Sequence, residues 1–105
     1  MFIKYDEYDL LELFQNEPVS ITGNPDDGEL LYSCKDSQNF KVILTLDVYR
    51  QTCSLSITYN DAIVFVGDFT SVTSMKKFDN NMIIYIDEKE KIKVKFSKQI
   101  GVELI

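Results

Sequence analysis

"FKVILTLDVYRQTCSLSITYNDAIVFV", residues 40–66, decides the fold class. Phe40, Val42, Leu44, Leu46 and Val48 alternate with Lys41, Ile43, Thr45 and Asp47. Cys53, Leu55, Ile57 and Tyr59 alternate in the same way with Ser54, Ser56 and Thr58. A period of two with one apolar face is the pattern of a half-buried strand. Pairing Val48 with Cys53 across Tyr49, Arg50, Gln51 and Thr52 sets Leu46 against Leu55 and Leu44 against Ile57. Thr45 then lies opposite Ser56 on the other face, and both apolar faces coincide. The Asn60-Asp61 turn adds a third strand, with Tyr59 opposite Ala62 and Ile57 opposite Val64, as in a two-residue hairpin. On that reading Val64 and Val66 join the core. Ile63 and Phe65 fall with Ile43, Thr45 and Thr58 on the far face.

Working towards the N-terminus, "YDEYDLLELFQNEP" (5–18) predicts the single helix. Asp6 is its N-cap, with Asp9 three residues on, and Pro18 prevents continuation. Leu10, Leu13 and Phe14 share one face, broadened by Leu11; Asp6, Asp9, Glu12 and Asn16 share the other. "TGNPDDGE" (22–29) is loop, because Gly, Asn, Pro and Asp each supply turn geometry. Working towards the C-terminus, further strands are expected at 71–75, 80–86, 91–96 and 101–105, with "DEKEK" as a charged hairpin tip. In "KIKVKF" (91–96) Ile92, Val94 and Phe96 point one way, and Lys91, Lys93 and Lys95 the other. The expectation is an α+β, mainly β fold over one domain, 1–105. A short N-terminal helix packs on a curved, mostly antiparallel meander; the alternative is a small closed barrel.

A chain of 105 residues is long enough to bury roughly 60–70% of its unfolded surface. Its 45% apolar and 27% charged content are those of a globular domain rather than a disordered one. The net charge of -6 is unevenly spread: residues 1–36 carry nine carboxylates against Lys4 and Lys35, a net of -7. That balance argues against non-specific phosphate binding, which needs clustered cations, and favours a basic partner. There is no histidine, and the two cysteines, Cys34 and Cys53, have no metal-ligand spacing, so no metal or other cofactor is expected. Both are read as reduced thiols of a cytoplasmic protein. The opening residues show no signal-peptide pattern, and no apolar run approaches the ~20 residues of a membrane span.

Four features could carry function. The acidic region, with Asp6, Glu7, Asp9, Glu12, Asp26, Asp27 and Glu29, is a candidate docking surface for a basic partner; capping and solubility account for the same residues. "NPDDGE" lacks the ligand spacing of a calcium loop and reads as a turn. The stripe Lys91, Lys93, Lys95 is better read as edge protection than as a phosphate site. The outer cluster Ile43, Ile63 and Phe65 is either covered by the helix or docks a partner, and cover from within is the favoured reading. Catalysis is not expected: no nucleophile motif or phosphate loop is present, and the acids sit in turns and on an exposed helix face.

The acidic helix "YDEYDLLELFQNEP" leading into a small, histidine-free meander resembles the small bacterial immunity proteins of polymorphic toxin and contact-dependent growth inhibition systems. The resemblance covers the chain in size, acidity and layout, and transfers no residue-level site. It implies a cytoplasmic, non-catalytic protein, monomer or weak homodimer, that binds one cognate toxin domain, often a basic nuclease. From the residues themselves come the candidate contact positions Asp6, Glu7, Asp9, Glu12, Asp26, Asp27, Ile63 and Phe65. Two rivals stand beside this reading. One is an adaptor subunit acting through the apolar sheet face; the other is a small-molecule binder whose barrel is lined by Phe40, Leu44, Ile57, Tyr59 and Phe96.

Overall fold

The alternating stretch and its neighbours form antiparallel strands in two sheets. The computed structural model describes residues 1–97 and 99–105. Among these residues the chain runs through α1 (Glu7–Phe14), β1 (Val19–Ser20), a 3₁₀ turn (Pro25–Asp27), β2 (Glu29–Lys35), β3 (Phe40–Asp47), β4 (Thr52–Tyr59) and β5 (Ala62–Phe69). It continues through β6 (Val72–Phe78), β7 (Asn81–Ile86), β8 (Lys89–Lys95) and β9 (Gly101–Leu104). Strands β1 to β5 make one sheet in chain order, and β6 to β9 the other. Neither closes on itself, so the fold is the meander and not the barrel. The side chains offered as barrel lining do not surround a lumen; Leu44 and Ile57 are buried in the core, and Phe40 stacks on the half-exposed Tyr59.

The helix begins where expected: Asp6 accepts the amide of Tyr8 at 2.8 Å, satisfying one of the free donors of the first turn. It ends at Phe14, before Pro18, because Gln15 turns left-handed (φ 57°). Asn16 Nδ2 then donates to the carbonyls of Phe14 (3.2 Å) and Ser33 (3.0 Å), capping the helix and fastening it to β2. The buried face is Leu10, Leu13 and Phe14. Phe14 lies 5.3 Å from the Tyr32 ring and 5.0 Å from the Phe96 ring. One aromatic therefore joins the two sheets, and α1 fills the gap between them rather than covering the outer face of the first. The N-terminal segment completes the seam. Ile3 donates to Val48 O, Lys4 to Thr73 O, and Met75 back to Lys4 O. A single apolar core runs from Ile3 through both sheets to Ile100.

The register expected for β3 and β4 is corrected by two residues. Leu46 faces Cys53, Leu44 faces Leu55 and Val42 faces Ile57. An even shift preserves the faces, so Leu44 and Ile57 are both buried. Thr45, however, faces Ser54 rather than Ser56, and their hydroxyls share a hydrogen bond. Val48 has left the ladder: its amide donates to Gly28 O, and its carbonyl accepts from Ile3 N, each at 2.9 Å. The turn accordingly occupies residues 48–51, held by Asp47 Oδ1 on the amide of Arg50 (3.1 Å).

The second correction concerns β5. Tyr59 does face Ala62, and Thr58 faces Ile63, but Ile57 faces Phe65. Val64 is the extra residue of a β-bulge, and parity reverses beyond it. Phe65 and Phe69 therefore pack against the core, while Val64 and Val66 are 55% and 57% exposed. Gly67 makes this possible. A Cβ there would stand 2.7 Å from Phe69 Cζ and 3.3 Å from Phe65 Cε1, so the two rings close over the position that lacks a side chain. The inward face gains two phenyl groups, and Asp68 stays outside.

The lysine stripe is corrected too. Ile92 and Val94 are buried and Lys91 and Lys95 exposed as expected, but β8 lies between β7 and β9 and is not an edge. The ladder sets Lys76 and Lys93 on either side of Ile83, an outward residue that is nonetheless buried. Lysine stems can shield such a residue while their ammonium groups stay in water. Lys95 in addition pairs with Glu103 at 3.4 Å.

Candidate partner-binding surface

The acidic residues of the first third divide into two settings. Asp9 and Glu12 lie along α1 on the side of β6, where Glu12 meets Lys77 Nζ at 3.4 Å. Asp9 borders a shallow depression shared with Lys4 and Lys76. Cations temper that side. Asp6 is occupied in capping, and Asp27 Oδ2 accepts the Thr22 hydroxyl at 2.7 Å. Glu7 borders that depression too, and with Asp26, 19 positions away in sequence, it also borders a groove of about 570 Å³. It runs between α1, the segment leading through β1 into the 3₁₀ turn, and the turn after β3.

Four tyrosines, Tyr5, Tyr8, Tyr32 and Tyr49, and a third carboxylate, Glu17, join the polar lining. None of these five was singled out from sequence. The available signals were the spacing of Tyr5 and Tyr8 around the cap and the unusual tyrosine share, six in 105 residues. Local structure explains each placement. Gly28 holds φ +74° with its Cα under the Tyr49 ring, where a Cβ would lie 2.8 Å from Cε2; the 3₁₀ turn therefore closes directly beneath that ring. Tyr32 is on the inward face of β2 and buried, with the Tyr5 phenol as its neighbour.

The electrostatics of the groove are negative. Burial first, then the neighbouring Tyr5 and the carboxylates of Glu7 and Glu17, push the Tyr32 phenol well above its ordinary value. Burial and Glu7 push Tyr5 in the same direction, partly opposed by the neighbouring Tyr32 hydroxyl. Both phenols stay protonated, and the only formal charges at the rim are negative among the described residues. Arg50, next to Tyr49, is turned to Asp47 instead (3.7 Å). Ser20 also lines the groove, and its hydroxyl oxygen is buried without a hydrogen-bond partner.

The apolar candidates lie elsewhere. Ile63 is 70% exposed on β5, the far edge of the sheet from β1. Four strand spacings of about 4.8 Å put it roughly 19 Å across the sheet from β1. Phe65, expected beside it, faces the core, and the outer surface there is Ile63 and Val66 among the hydroxyls of β4. No helix is long and apolar enough to cross a membrane among the described residues. Both cysteines are free.

No protein-family model matches the chain, and no curated protein is similar to it in sequence. Among solved structures, the fold is similar to that of a chain in a contact-dependent growth inhibition toxin–immunity protein complex from Klebsiella pneumoniae 342. The two are 22% identical and superpose with a TM-score of 0.80, over 98% of this chain and 96% of that one. At that identity the likeness is one of fold.

Proposed function

We propose that this protein is an immunity protein, which binds and neutralises a cognate bacterial toxin domain without catalysis of its own. The observation that carries the reading is the fold likeness: nearly the whole of each chain superposes, and that chain comes from a toxin–immunity complex. The chemistry of this chain suits the inhibitory half of such a pair. It has no histidine, and its exposed carboxylates cap, pair or face solvent. The net charge of -7 over residues 1–36 suits a basic toxin surface, with fast and salt-sensitive association. The reading implies a cytoplasmic protein, monomeric or weakly dimeric when free.

Co-expression with the product of the gene directly upstream, which the reading requires to carry a toxin domain, tests it. Growth should be rescued and the two chains should co-purify, with affinity falling as salt rises. Failure of both rescue and co-purification overturns the reading. Reversing Asp9 and Glu12 to Lys separates the acidic faces. It sacrifices the Glu12–Lys77 pair and the favourable charge of Asp9 in the first helical turn, each worth about 0–1 kcal/mol to the fold, so once a urea melt shows the fold intact, slowed association belongs to the interface.

A further inference from the structure

We propose that the tyrosine-lined groove is a receptor for one arginine side chain of the partner protein. This rests on the immunity reading for the partner's identity, and on the groove alone for its chemistry. Three independent features converge there. Glu7, Glu17 and Asp26 border a concavity whose lining holds no Lys or Arg among the described residues. Tyr8 and Tyr49, exposed by 75% and 60%, contribute aromatic rings to its lining. Ser20 Oγ is buried against it with no partner.

A buried hydroxyl without a partner is costly, and native proteins rarely leave one. Ser20 Oγ is closed to solvent, and a turn of the side chain about χ1 brings its lone pairs to an incoming N–H donor. A guanidinium meets all three features together. Its planar face stacks on a tyrosine, its fork of N–H donors reaches carboxylate oxygens, and a remaining N–H is available to Ser20. A lysine ammonium is a compact point charge that cannot stack in this way. The occupant is a protein side chain because the three carboxylates of the groove belong to residues 1–36, which carry a net charge of -7. A basic surface would be drawn there first.

The test uses the intact protein and N-acetyl-arginine amide, followed by two-dimensional amide NMR. N-acetyl-citrulline amide, equal in shape but uncharged, is the control. Arginine amide should shift the amides of residues 5–8, 17, 19–20, 26–28 and 48–49 saturably, with a dissociation constant in the millimolar range expected of a single residue. Citrulline amide should bind more than tenfold more weakly. Glu17→Gln and Tyr8→Ala, both at exposed positions, should each weaken binding about three- to tenfold with an unchanged fold. Ser20→Ala should weaken it while leaving the free protein as stable or more so.

Equal binding of citrulline amide overturns the proposal, as do shifts spread evenly over Asp9 and Glu12. In cells, wild-type protection with full protection by the Glu17→Gln/Tyr8→Ala double variant overturns the groove and leaves the immunity reading standing. Loss of protection by the wild type removes the immunity reading and leaves the titration to decide the groove.

Discussion

Asp36 holds the two sheets together at the end of the molecule away from the N-terminal seam, and its removal should be measurable. Its Oδ1 accepts the amides of Gln38 (2.8 Å) and Phe40 (3.0 Å), which closes the turn between β2 and β3. Its Oδ2 accepts the amide of Ile100 at 3.0 Å, 64 residues away and just before β9. Partial burial raises the carboxyl, but the three amide donors outweigh it and hold the group below its usual range. A hydrogen bond to a charged acceptor is worth about 1.5–3 kcal/mol when shielded. Discounting for solvent at this part-exposed site, Asp36→Ala should cost about 1–2.5 kcal/mol at pH 7. Asp36→Asn keeps one acceptor oxygen and should cost about 1 kcal/mol.

The pH dependence identifies the charge as the cause. A carboxyl depressed in the native state contributes its full stability above the unfolded value, near 3.9, and loses it as pH falls through the native value. The gap between wild type and Asp36→Asn should therefore be constant from pH 7 to about 5, narrow below about 4 and close once the native carboxyl is protonated. Urea melts of both proteins across that range, followed by tyrosine fluorescence, read the gap directly. All other carboxylates are common to the two proteins and cancel. A gap of the same size at every pH would refute the electrostatic account and leave a steric one. No gap at pH 7 would refute the clamp itself.

Ile63→Asp should stay within about 0.5 kcal/mol of wild type in a urea melt, whereas Phe65→Asp should lose about 3 kcal/mol or unfold the chain, since it places a carboxylate towards the core. Equal effects would show that the bulge at Val64 does not reverse the faces. Ile57→Ala should cost about 2–5 kcal/mol by leaving a cavity, while Ser56→Ala should be nearly silent. Gly28→Ala should destabilise the protein, because its φ is left-handed and the new methyl meets the Tyr49 ring; an altered Tyr49 NMR environment would accompany the loss. Burial, aided by Asp36 for Cys34 and by Asp68 for Cys53, pushes the two thiols up to about 11 and about 12. Iodoacetamide at pH 8 should label both slowly in the native protein and rapidly in urea; fast native labelling of either would contradict its burial.

The elements and their faces were legible where one period ran unbroken. Leu44, Leu55 and Ile57 could be assigned to the core because alternation fixes parity, and a register slip of two leaves parity unchanged. Partner identity was not legible in the same way. Val48 looks like one more apolar strand residue, and only its bonds to Ile3 and Gly28, distant in sequence, take it out of the ladder. At β5 a sign was present. Carrying the parity of Val64 and Val66 one step further puts Asp68 in the core and leaves Gly67 between two outward phenylalanines. That conflict is resolved by a bulge. The lysine stripe shows the other limit: alternation reveals which face is polar, but sheet order decides whether the strand is an edge.

Legibility also differs between the core and the candidate site for a physical reason. A core is specified redundantly, since many apolar residues satisfy each inward position; a fold can therefore be shared at 22% identity. A groove depends on particular side chains from separate segments. Glu7 and Asp26 were visible as charges, but nothing local joins them to Glu17, Ser20, Tyr32 and Tyr49. They meet because Asp6 starts the helix, Gly28 closes the 3₁₀ turn under Tyr49, and Asn16 ties the helix end to β2. Outward positions near that meeting point can change without disturbing any of these three devices. If the groove receives the partner as proposed, partner specificity can be rewritten at Tyr8, Glu17 and Asp26 while the fold is retained. Exchanging these three residues for cationic or small ones should then abolish toxin binding with little change in the unfolding midpoint.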